Sequence, residues 1–69
     1  MRVKYFADTD TALVEFSAGP AVETRELNEN IYIDLDADGH IVSLTIEHAQ
    51  RTAGMEEFSY QRLPVPTHA

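Results

Sequence analysis

The chain has 69 residues, with 12 Asp and Glu against five Lys and Arg, a formal net charge of −7, and no cysteine. That length allows one domain with a thin core, and the lack of thiols excludes disulfides and thiolate metal sites together. The cations Arg2, Lys4, Arg25, Arg51 and Arg62 stand apart from one another, leaving no basic cluster to bind nucleic acid or an anionic membrane.

The opening run Val3-Lys-Tyr-Phe6 is rich in β-branched and aromatic residues, and Ala12-Leu-Val-Glu-Phe16 is a second such run. The turn-forming Ala7-Asp-Thr-Asp10 between them predicts a hairpin. Leu13 and Val14 are both apolar, so alternation does not say which of them faces inward. Nothing in Met1-Arg-Val-Lys-Tyr-Phe6 has the apolar length of a secretion signal, and no stretch is long enough to span a bilayer. The expected location is the cytoplasm.

Gly19-Pro20 breaks the chain, because Gly permits unusual backbone angles while Pro fixes φ and removes a donor. Ala21-Val-Glu-Thr-Arg-Glu-Leu27 reads as a third strand. Its charge density suits a sheet edge that resists pairing with another chain, and Val22 and Thr24 argue against a helix. Asn28-Glu-Asn30 supplies the next turn.

Ile31, Ile33 and Leu35 then share one side of a strand, with Tyr32, Asp34 and Asp36 on the other. After Asp38-Gly39, Val42, Leu44 and Ile46 alternate with Ser43, Thr45 and Glu47. This period of two is that of a half-buried antiparallel sheet, and Gly39 can take the positive φ that a tight hairpin turn needs. Alternation stops at Glu47-His-Ala-Gln-Arg-Thr-Ala53, where a short helix is expected with Gly54 just beyond its end. Met55, Phe58, Tyr60 and Leu63 are expected to pack as a second helical turn or an irregular lid. Residues 64–69, with Pro64 and Pro66, are expected to form a mobile tail to a single domain of residues 1–63.

The order of these pieces is itself distinctive. Tyr5-Phe-Ala-Asp-Thr-Asp-Thr-Ala-Leu13, Glu23-Thr-Arg-Glu-Leu-Asn-Glu-Asn-Ile31 and Ile33-Asp-Leu-Asp-Ala-Asp-Gly-His-Ile-Val42 follow one another across residues 1 to 50. The series resembles the small bacterial domain-of-unknown-function family numbered 2283. The chain departs from the family pattern at Ser43-Leu-Thr-Ile46, where Gly-Ile-Glu-Ile is common, and from Gly54 onward nothing matches. The resemblance implies a compact β-meander with a short C-terminal helix, no assigned activity and no catalytic residues. It also implies a place beside toxin-like partners.

Asp34, Asp36 and Asp38 match the first half of a calcium-binding EF-hand loop, with Gly39 at its sixth position and Ile41 at its eighth. Thr45 stands where the bidentate Glu should be, and strands replace the flanking helices. A solvated hairpin is therefore the expected role of these three residues, with a weak Ca²⁺ site as the alternative. Adjacent Glu47 and His48 face different ways, and His40 and His48 are too far apart along a strand to share an ion. Ser17, Ser43 and Ser59 lie in no nucleophile motif, so no enzyme, cofactor or metal is expected. Tyr32 lies opposite the aliphatic residues of its strand, which makes it a candidate contact for another chain.

These observations predict an α+β domain: an antiparallel meander of four or five strands with a short C-terminal helix packed on one face. Its core is expected to include Val3, Tyr5, Leu13, Phe16, Ile33, Leu35, Val42, Leu44 and Ile46. The functional expectation is a small acidic protein-interaction module, either a homo-oligomer or the partner of a small basic protein, including an antitoxin-like role. The alternative is a small-ligand or metal-ion binder using the acidic hairpin or a dimer cleft.

Overall fold

The computed structural model describes residues 1–54 and 57–66. The β-branched and aromatic runs form strands β1 (Arg2–Phe6), β2 (Thr11–Glu15), β3 (Glu23–Asn28), β4 (Ile31–Leu35) and β5 (Ile41–Glu47), followed by helix α1 (Ala49–Ala53). All five strands join one antiparallel sheet in the order β1-β2-β5-β4-β3. A three-strand meander, β3-β4-β5, is thus docked on the hairpin β1-β2, and the last strand takes the centre. The segment between β2 and β3 starts beside β5, where the Phe16 and Ser17 amides both donate to the Val42 carbonyl, and ends at β4, where the Val22 amide donates to Leu35.

Both sheet edges are protected against stray pairing. β3 is exposed along its whole length, carries Glu23, Arg25 and Glu26, and shifts register between Glu26 and Asn28; charge and a bulge both discourage a further strand. β1 presents Arg2 and Lys4 on the other edge, with the Lys4 ammonium 3.0 Å from the Glu15 carboxylate.

Helix α1 is a single short turn seated at one end of the sheet. Its first amide, on Ala49, donates to the Asp10 carbonyl, and the Gln50 amide donates to Asp10 Oδ1. Asp10 Oδ1 also accepts the Tyr5 hydroxyl at 2.6 Å. Across the sheet, the Glu47 amide donates to the Asn30 carbonyl, and His48 Nδ1 lies 3.1 Å from Asn30 Oδ1. The two turns at this end therefore grip the start of the helix. Asp10 and His48 both hold positive φ to make these contacts, and Gly54 ends the helix at φ 57°, as its position suggested.

Packing differs from the expected core in an instructive way. Leu35 and Val42 are buried, joined by Ala12 and Ala49, which have no exposure at all. Val3, Leu13, Ile33, Leu44 and Ile46 are only half-buried, and Tyr5 and Phe16 are exposed at 40% and 46%. The reason is that the sheet is a single layer: apart from neighbouring strands, the contact of note between elements is that of α1 with β5. Phe58, Tyr60 and Leu63 form neither a helical turn nor a lid; they are exposed and without regular structure. Met55 and residues 67–69 lie outside the described residues. Among those described, no helix is long and apolar enough to cross a membrane.

Candidate functional site

Strand register sorts the side chains into rows that run across all five strands. One row reads Val3, Val14, Leu44, Ile33 and Arg25; two residues along, Tyr5, Ala12, Ile46, Ile31 and Asn28 form the next. Successive side chains alternate between faces, so these two rows share one side of the sheet. The intervening rows share the other side: Arg2, Glu15, Ser43, Asp34 and Thr24, then Lys4, Leu13, Thr45, Tyr32 and Glu26. One face is aliphatic and the other is polar and acidic. Leu13 falls on the polar face because its partner is Thr45, and Val14 takes the aliphatic position that the sequence left open between them.

Asp34 is built into the polar face. Its Oδ1 accepts the Thr24 hydroxyl and its Oδ2 accepts the Ser43 hydroxyl at 2.7 Å, tying β3, β4 and β5 together. Donors to both oxygens stabilise the ionised form, so the Asp34 carboxyl sits below the ordinary aspartate value of 3.8, with the Thr24 bond the larger cause. The Asp10 carboxyl is lowered in the same way, first by the Tyr5 hydroxyl and then by the Gln50 amide. A carboxyl whose pKa falls on folding adds stability above its unfolded value, and that stability is lost as pH falls through the folded value. The expected result is a melting temperature that declines below about pH 4, with a shallower acid decline in Asp34→Asn; an acid limb unchanged by the substitution would remove Asp34 from this role.

Asp36 and Asp38 do come together, though with His40 rather than with Asp34. Carboxylate and imidazole ligand atoms of the three lie within 4.8 Å of one another. Asp34 is left out because register shifts between Asp34 and Leu35, which rotates the chain as it enters the turn. The Asp36 carboxylate already has a structural task there: its Oδ1 accepts the backbone amides of both Asp38 and His40. This is the local side-chain bonding by which Asp shapes turns.

Tyr32 is half-buried on the polar face, and its hydroxyl donates to the Glu29 carbonyl at 3.4 Å. Its phenol is pushed above its ordinary range, first by the negative charge of Glu47 and further by desolvation and by Glu26. Tyr32 thus has acidic neighbours in Glu47 and Glu26. An open groove of about 410 Å³ lies at the helix end, lined by Glu29, Asn30, His48, Arg51 and Thr52. Sequence spacing gave no hint of that groove, because its walls come from the β3–β4 turn and from α1.

No curated protein and no solved structure matches the chain. A family model described as "Protein of unknown function (DUF2283)" does match, over residues 2–50, which takes in all five strands and the start of α1. The chain therefore belongs to the DUF2283 family.

Proposed function

We propose that this domain is a small acidic protein-interaction module whose working surfaces are the two faces of its sheet. The observation that carries this reading is the unfinished packing. Among the described residues no large side chain is fully buried, while four aliphatic residues, Val3, Val14, Leu44 and Ile33, stand half-exposed in one row. A sheet with an apolar face needs a second layer to cover it, and exposed apolar patches of this kind mark contact sites. The opposite face, with Tyr32 between Glu26 and Thr45, offers negative charge and an aromatic anchor to a basic protein. An antitoxin-like role would use that acidic face.

Two substitutions separate the faces. Leu44→Glu places a charge in the aliphatic face, whereas Tyr32→Ala trims the acidic one. Binding lost in Leu44→Glu alone assigns the apolar face; salt-sensitive binding lost in Tyr32→Ala alone assigns a basic partner. A wild-type chain that associates with nothing, itself included, would defeat the reading.

A cation at Asp36, Asp38 and His40 is the second reading, favoured only by the proximity of their ligand atoms. Because Asp36 is already engaged by two amides, adding millimolar Ca²⁺ is expected to leave the amide shifts of residues 36–40 in place. Saturable shifts confined to those residues would restore the cation reading.

A further inference from the structure

The aliphatic face invites a more specific assignment, one that rests on the interaction reading above. We infer that this face is the subunit interface of a homodimer in which two sheets pack face to face as a two-layer sandwich. Three observations converge on a second copy of the chain as the occupant.

The first is area. A compact monomer of 7.8 kDa is expected to expose about 4,400 Å², whereas this chain exposes 5623 Å². The excess, about 1,200 Å², is larger than the roughly 800 Å² that each partner gives to an interface of standard size. Segment 57–66 contributes to it with exposed Phe58, Tyr60, Leu63 and Val65, and so do the half-exposed Val3, Val14, Ile33 and Leu44 of the sheet face.

The second is the lack of another covering layer among the described residues. Helix α1 has five residues and touches β5, too little to span a five-stranded sheet whose strands lie about 4.8 Å apart. Residues 57–66 remain exposed throughout. One established way to bury an apolar sheet face is a like sheet about 10 Å away, and among the described residues no second layer supplies it, whereas a second copy of this sheet would.

The third is charge. The chain carries −7, yet the two aliphatic rows contain a single ionised residue, Arg25, which pairs with neighbouring Glu23. Face-to-face contact therefore buries no bare charge. The acidic groups Glu15, Glu26, Asp34 and Glu47 lie on the opposite face or its rim, and an intervening sheet and salt weaken repulsion between copies. A basic partner would be drawn to that other face. What the aliphatic face matches is itself, as a twofold axis requires.

Sedimentation equilibrium on the full chain, followed by isotope-filtered NMR on a mixture of labelled and unlabelled protein, tests the assignment without any variant. The expected result is a mass twice 7.8 kDa, a melting temperature that rises with protein concentration, and intermolecular contacts among the methyls of Val14, Ile33 and Leu44. A dimer that instead shows contacts through β1 or β3 overturns it, because pairing is then edge to edge. A monomer at every concentration also overturns it, and leaves the broader interaction reading standing if Leu44→Glu still abolishes binding of another protein. A monomer whose face methyls contact Phe58, Leu63 or Val65 of the same chain overturns both, since the face would then be covered from within.

Discussion

Replacing Leu35 with Ala is expected to remove a large share of the protein's stability and to lower its urea midpoint sharply. Leu35 ends β4 with 8% exposure, opposite Ile41 on one side and Glu23 on the other. Removing a buried Leu side chain costs about 2–5 kcal/mol, through lost transfer free energy and the cavity left behind. A domain of this length has a total stability of only about 3–10 kcal/mol, so the loss consumes a large share of it. Leu44→Ala provides the contrast. Leu44 is only half-buried within one chain, so its truncation should cost less in dilute solution and, in the dimer we propose, more as concentration rises. Urea midpoints for both variants at two protein concentrations supply the measurement. An unchanged midpoint for Leu35→Ala would show that the core lies elsewhere.

The contrast between Leu35 and Leu44 shows what the sequence could and could not convey. Alternation from Ile31 to Ile46 was enough to define β4 and β5, because a period of two has one meaning when Gly39 sits between the runs. It was equally enough to place Leu35 and Leu44 on one face. It could not tell that one would be buried and the other half-open, since that depends on what lies above the sheet. Tyr5 and Phe16 were expected inside for their size, and both emerge exposed because β1 is an edge strand and Phe16 lies just past β2. Ala12, with no exposure, was overlooked for the opposite reason: a small residue carries little signal, and its value appears only in its row between Tyr5 and Ile46.

Long-range pairing accounts for the remaining differences. The position of β5 between β2 and β4 brings residues 11–15 against residues 43–47, and no local pattern encodes which hairpin docks on which. That same pairing decided between Leu13 and Val14. The acidic site was legible as composition but not as geometry. Asp34, Asp36 and Asp38 recur at every second position, yet a register shift after Asp34 sends it to a ladder with Thr24 and Ser43 and sends the other two into the turn.

Gly39→Val is expected to weaken the hairpin at the centre of the sheet. The turn is closed by the Gly39 amide donating to the Asp36 carbonyl and by the Asp36 amide donating to His40. Gly39 has φ 84°, whereas Asp38 has no positive φ, so the loop is a three-residue turn with a left-handed glycine rather than a two-residue turn with both φ values positive. A Cβ built on Gly39 meets nothing within 4 Å, so steric crowding from other residues is not the issue. The cost is intrinsic to the backbone, about 1–2 kcal/mol for an L residue held in the left-handed region, and a β-branched side chain is the least tolerant. Gly39→Asn should recover much of that loss, because Asn visits this region far more readily. Comparing the urea midpoints of Gly39→Val and Gly39→Asn isolates the effect. Equal destabilisation would point instead to a side-chain clash. No destabilisation in either variant would mean that the turn can adopt another form, and that the pairing of β4 with β5 is held by the aliphatic rows alone.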